Sequence, residues 1–196
     1  MSNLNKFVMI FFAALIVLLL FVDSLIINKM TPEVFNKKPF PQFQTKSLID
    51  QTVNNNIFND KITIICVWAT NAEICFAFLT NLSQLKIPAN VQRIGLVGDV
   101  KENDNFYKLK SAQKISADCS ADMIQLLVND DFAPLLEYVR TVPFVCFVDS
   151  QGNFIGQPVT GANVQLVEHE LNRLLEKDSP KRRALEDLQK AILNAH

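Results

Sequence analysis

The run Ile62-Thr63-Ile64-Ile65-Cys66-Val67-Trp68 constrains this chain more than any other feature. It is almost continuously apolar, is rich in isoleucine and valine, and follows a turn at Asn59-Asp60. Such a run fits a strand buried on both faces of a sheet, and a strand of that kind needs cover on each side. Val91 to Val97 reads as a second buried strand, Ile124 to Val128 and Phe144 to Val148 as two more. Asp149-Ser150-Gln151-Gly152-Asn153 has the composition of a hairpin turn, with Gly152 available for positive φ and Phe154 to Val159 as the returning strand.

Helical spacing separates these runs. Glu73 to Leu85 places Ile74, Ala77, Phe78, Leu82 and Leu85 on one side. Asp104 to Lys114 is more polar, with Phe106, Leu109 and Ala112 as its apolar side, and Phe132 to Tyr138 makes a short helical turn. Asn163 to Lys177 is strongly amphipathic through Val164, Val167, Leu171, Leu174 and Leu175. Ser179-Pro180 supplies an N-cap and first-turn proline for a last helix bearing Leu185, Leu188 and Ile192. Strands alternating with helices, then a hairpin and a helix, predict a mixed α/β sheet flanked by helices.

The first 28 residues are a separate unit. Phe7 to Ile27 spans 21 residues broken only by Asp23-Ser24, about 31 Å as a helix, which matches a hydrocarbon core of about 30 Å. This predicts one membrane-spanning signal-anchor, favoured over a cleaved signal peptide because the apolar run resumes after Ser24. Lys6 precedes the span while Lys29, Lys37 and Lys38 follow it, a balance that gives no charge-based support for an external domain. The expected organisation is an anchor over 1–28, a proline-containing linker over 29–45 that becomes ordered near Phe40 to Phe43, a domain over 46–178, and a C-terminal helix over 179–196.

Composition excludes several functions. Basic and acidic residues number 19 and 20, which argues against binding nucleic acid through phosphate neutralisation. Two histidines and four cysteines, with no two cysteines in a C-x-x-C pair, leave out the usual zinc spacings. No metal and no cofactor is expected.

Trp68-Ala69-Thr70 closes a buried strand just before a helix, and Thr141-Val142-Pro143 opens a later one. This pairing, in this order, resembles the thioredoxin fold, and more closely the membrane-tethered TlpA/ResA/DsbE (CcmG) branch of thiol:disulfide oxidoreductases. That branch ends its strand W-A-T-W-C-x-x-C, opposite a cis-proline. Lys38-Pro39-Phe40-Pro41-Gln42-Phe43 is similar to the family's lead-in segment, Asp60-Lys61 stands where it has G-K, and Phe147-Val148-Asp149-Ser150-Gln151-Gly152 is similar to its hairpin. The resemblance covers about residues 38–177. It implies a thioredoxin-like domain on the extracytoplasmic side of a bacterial cytoplasmic membrane, where such proteins reduce disulfides, often in apocytochrome c. It also implies a cis bond at Pro143, and a substrate groove bordered by Trp68, Val142 and Pro143.

The departure from the motif decides the chemistry. Residues 71–75 read Asn71-Ala72-Glu73-Ile74-Cys75, so Ala72 stands at the attacking cysteine and only the resolving position, Cys75, keeps a thiol. Dithiol exchange needs a first thiolate to attack and a second to resolve the mixed disulfide. The resemblance makes Cys66 a near neighbour of Cys75 and a candidate partner; Cys146 reads as core, and Cys119, in the loop-like stretch Ser116 to Asp122, as the most exposed thiol. Two functions stay open: residual exchange through Cys75, alone or with Cys66, or a redox-inactive module holding protein or peptide clients in the groove beside Pro143. A third reading makes the C-terminal helix a docking element for a partner.

Overall fold

The computed structural model describes residues 38–120 and 122–177. The expected anchor, most of the linker and the last helix lie outside the described residues. Among the described residues no helix is long and apolar enough to cross a membrane. The elements in chain order are β1 (Gln44–Lys46), β2 (Thr52–Asn54), β3 (Ile62–Trp68), α1 (Ile74–Gln84), β4 (Val91–Lys101) and α2 (Phe106–Cys119). They continue with β5 (Ile124–Val128), α3 (Ala133–Leu136), β6 (Phe144–Val148), β7 (Phe154–Thr160) and α4 (Val164–Lys177).

Five strands form one sheet in the order β5-β4-β3-β6-β7. β3, β4 and β5 are parallel, β6 is antiparallel to β3, and β7 is antiparallel to β6. β3 lies at the centre with all seven residues buried, as its apolar run requires. Its side chains alternate between two cores. Ile62, Ile64, Cys66 and Trp68 meet Phe78, Leu79 and Leu82 of α1, Ala112 of α2, and Val167, Leu171 and Leu174 of α4. Ile65 and Val67 face Phe40, Phe43, Phe58, Phe132 and Leu135 on the other side. There the rings of Phe40, Phe43, Phe58 and Phe132 lie with centroids 4.9 to 6.3 Å apart.

That second core corrects the linker boundary. Phe40 and Phe43 are buried, the Phe40 N–H donates to the Gly152 carbonyl at 2.8 Å, and β1 begins at Gln44. The segment from Pro39 onward therefore belongs to the domain. β1 also covers the open edge of β5: the Thr45 hydroxyl donates to the Leu127 carbonyl at 2.7 Å, and the Leu48 N–H to the Gln125 carbonyl at 2.8 Å. On the opposite edge Pro158, with no N–H to offer, sits beside Gln157, whose N–H is taken by Glu170 Oε1 at 2.6 Å. Arg173 holds that buried carboxylate in a fork at 2.7 and 2.6 Å.

Other differences are local. α1 buries Cys75, Phe78, Leu79 and Leu82, not the face led by Ile74 and Ala77; the true stripe follows i, i+3, i+4, i+7 from the cysteine. α2 runs on to Cys119, so that residue ends a helix, and Phe106 is exposed rather than part of the apolar side. β4 extends to Lys101 through a register shift after Val97. Asp60 takes φ 63°, a region that glycine occupies without strain.

One buried polar chain crosses the helix-side core. Trp68 Nε1–H donates to Gln125 Oε1 at 2.8 Å, and Gln125 Nε2 donates to Ser120 Oγ at 2.9 Å. Gly95 makes the space: a Cβ there would stand 1.7 Å from Gln125 Oε1. Gly95→Ala is therefore expected to lower stability by about 1–3 kcal/mol, the usual range for forced overpacking. Urea denaturation measures it, and an unchanged midpoint would contradict the arrangement.

Candidate functional site

Strand direction assembles the site at one end of the sheet. β3 and β4 are parallel, and β7 runs with them because two antiparallel steps separate it from β3. The helices that follow these strands, α1, α2 and α4, therefore all begin at the same end. β6 starts there too, because Val67 pairs with Phe144. One step further along this register Trp68 stands level with Pro143. The Val142–Pro143 bond is cis, as the resemblance implies, Pro143 is buried, and Val142 is half-buried against both cores. The Gly161 N–H donates to the Pro143 carbonyl at 2.9 Å, whereas Thr141 and Val142 make no backbone hydrogen bond among the described residues.

The loop after β3 is held by Asp99. Its two carboxylate oxygens accept the Thr70 N–H at 3.0 Å each, and Oδ2 accepts the Thr70 hydroxyl at 2.6 Å. The backbone then turns twice, with the Ala72 N–H on the Ala69 carbonyl at 3.3 Å and the Cys75 N–H on the Ala72 carbonyl at 2.9 Å. Ala72 is half-buried, Glu73 is exposed at the N-cap with no side-chain capping bond, and Ile74 is exposed. Cys75 points the other way and has no accessible surface.

All four cysteines are free thiols. Burial pushes the Cys75 thiol up from its ordinary value; a backbone hydrogen bond at Ala69 opposes the rise, and the Asp99 carboxylate adds to it. Burial raises the Cys66 thiol strongly, and Cys75 and Cys146 raise it further. Cys66 and Cys75 thus do lie in one electrostatic neighbourhood and one core, but neither has an open face. Cys146 is also raised by burial. Cys119 is half-buried, and it closes α2 at the end of the sheet opposite Ala72.

Trp68 requires a correction. Expected at the groove, it is fully buried and tied to Gln125, because β3 is covered on both faces up to its last residue. The turn after β3 and the start of β6 bring Thr70, Ala72, Val142 and Pro143 to the same end of the sheet. Sequence reasoning missed Asp99, whose only signal is a lone charge after the apolar run Ile94 to Val97. A groove of about 600 Å³ lined by Leu48, Ile49, Met123 and Ile124 lies at the opposite end, where β5 starts. Among the described residues no cluster of His, Cys, Asp and Glu could hold a metal ion.

Two outcomes follow from these thiols. Alkylation of the native protein is expected to modify Cys119 first, with Cys66, Cys75 and Cys146 reacting only on unfolding; prompt native labelling of Cys75 contradicts its burial. Raised pKa values at Cys66 and Cys146 mean that above about pH 9, the ordinary thiol value, the unfolded chain releases protons that the folded chain retains. Stability is then present below that pH and lost as pH rises through it, by about 1.4 kcal/mol per pH unit per thiol. Denaturation midpoints from pH 7 to 10 check the sign.

No family model matches this chain, and no curated protein sequence matches it. Solved structures do. A Chlorobium tepidum protein assigned as the thiol:disulfide interchange protein DsbE superposes with TM-score 0.57 at 18% identity, over 71% of this chain and 97% of that one. A thiol:disulfide interchange protein from a Bacteroides species gives 0.53 at 19%, over 70% and 90%. A secreted Mycobacterium tuberculosis disulfide oxidoreductase homologous to E. coli DsbE gives 0.50 at 14%, over 67% and 96%. Together with the strand order, the cis-proline and the helix after β3, these likenesses show that the described domain has the thioredoxin-like fold.

Proposed function

We propose that this chain derives from the DsbE-type branch of membrane-tethered thiol:disulfide proteins, has given up dithiol exchange, and holds extended polypeptides beside Pro143 without a redox step. The observation that carries the reading is the pair Ala72 and Cys75. At the N-terminus of α1, where the helix dipole would favour a thiolate, there is a methyl group. The thiol that remains has no accessible surface, and burial and Asp99 both disfavour its ionised form. The peptide-binding half of the site is retained. Thr141 and Val142 make no backbone hydrogen bond among the described residues, which suits strand-like pairing with an extended segment.

The compartment belongs to the same proposal. Phe7 to Ile27 is read as an uncleaved anchor in a bacterial cytoplasmic membrane, with the domain on the extracytoplasmic side. Geometry supports a tether of this kind. The Lys38 carbonyl accepts the Phe154 N–H at 2.8 Å, so the chain enters the domain at the end where β7 begins, opposite Ala72 and Pro143.

The test uses the full chain in insulin-disulfide reduction. The natural protein and Cys75→Ser are both expected to be inactive, and Cys75→Ser to support the natural function in cells. Ala72→Cys is expected to gain reductase activity, because a thiol at the helix start would then have Cys75 as its resolving partner. Reduction by the natural protein that disappears in Cys75→Ser would overturn the reading.

A further inference from the structure

We infer that the groove between the entering chain and α3 seats the chain's own tether: residues 34–37 lie in it, with Phe35 as the aromatic anchor.

The groove measures about 400 Å³. Lys38, Pro39 and Pro41 of the entering chain line it together with Pro134, Tyr138 and Phe154. Tyr138 is 43% exposed, and Phe154 belongs to the phenylalanine-rich core. A lining of prolines and aromatic rings takes apolar side chains, and aromatic ones above all.

Connectivity selects the occupant. The described chain begins at Lys38, which is itself part of the lining. Its backbone is fixed there. The Lys38 carbonyl accepts the Phe154 N–H and the Phe40 N–H donates to the Gly152 carbonyl, both at 2.8 Å, with Pro39 opposite Asn153 in an antiparallel bridge. The chain thus arrives along the outer edge of β7. It cannot continue far up that edge as a strand. Gly156 turns with φ 69°, and Glu170 Oε1 already takes the Gln157 N–H at 2.6 Å. The residues just before Lys38 are therefore held beside the groove.

The segment has one side chain suited to it. Between Ile27 and Lys38 the large apolar residues are Met30, Val34 and Phe35, and Phe35 is the only aromatic. It stands three residues before Lys38, a reach of about 10 Å. A group tethered this closely has an effective concentration of order millimolar, which disfavours a separate client or a second chain in the same groove. The next residues already behave in this way. Phe40 and Phe43, set among Pro39 and Pro41, are buried against Phe58 and Phe132. With Phe7 to Ile27 read as the anchor, docking shortens the free tether from the ten residues 28–37 to the six residues 28–33, holding the domain within about 20 Å of the end of the anchor. Tyr138 also lies four residues before Val142, so the tether bears on the segment that leads into the cis-proline.

The test is timed trypsin cleavage of the full chain in detergent, read by mass spectrometry. Cleavage after Lys37 is expected to be about tenfold slower in the natural protein and in Phe35→Tyr than in Phe35→Ser, while cleavage after Lys29 proceeds alike in all three. Equal cleavage after Lys37 in the natural protein and Phe35→Ser overturns the inference. A second measurement uses a short bismaleimide on a Cys119→Ser background. Phe35→Cys is expected to join Tyr138→Cys within one chain about tenfold faster than it joins Gln151→Cys, which lies in the hairpin turn beside the same entering chain. Equal rates for the two pairs overturn the inference. Links formed only between chains assign the groove to the tether of a second copy and overturn it as well.

Discussion

β3 is buried along its whole length and on both faces, and the rest of the domain is arranged to keep it so. Helices α1, α2 and α4 close one face, and the phenylalanine-rich segment before β3 closes the other with help from Phe132. A strand this apolar, exposed on either side, would present a large aggregation-prone surface. The parallel neighbours also fix where chemistry can occur. Loops after parallel strands gather at one end of a sheet, so the turn after Trp68, the Asp99 carboxylate and the start of β6 are neighbours by topology.

That topology is common to proteins that exchange disulfides and to proteins that do not. What separates them is the local environment of a few atoms. The same helix start that would acidify an exposed thiol carries Ala72, and the remaining thiol is turned into the core. Asp99 performs two tasks with one carboxylate. It fixes Thr70 through three hydrogen bonds, and its charge opposes a thiolate at Cys75. The same carboxylate thus orders the turn and disfavours an ionised sulfur beneath it.

Much of this was legible in the sequence. The buried strand, the order of elements and the hairpin at Gly152 follow from patterns of a few adjacent residues, and the cis bond at Pro143 is what the resemblance implies. The parts that were not legible depend on distant partners. Phe40 and Phe43 sit among prolines with no period to reveal them, and are buried only because Phe58 and Phe132 arrive from elsewhere. Trp68, which the resemblance places beside the groove, is held inside because Gln125, 57 residues away, takes its N–H and Gly95 makes room. The buried face of α1 is led by Cys75, because a thiol packs as a small apolar side chain. Asp99 carries no motif; its role exists only once β4 lies beside β3.

The central claim is that the site holds a thiol but does not use it. The most direct measurement is the redox state of the four cysteines in living cells, with acid trapping, alkylation and mass spectrometry on the full chain. The account predicts Cys75 as a free thiol with no covalent partner, whatever the redox load of the compartment. A Cys66–Cys75 bridge, or Cys75 joined to another protein, would contradict it and would identify an exchange site with altered wiring.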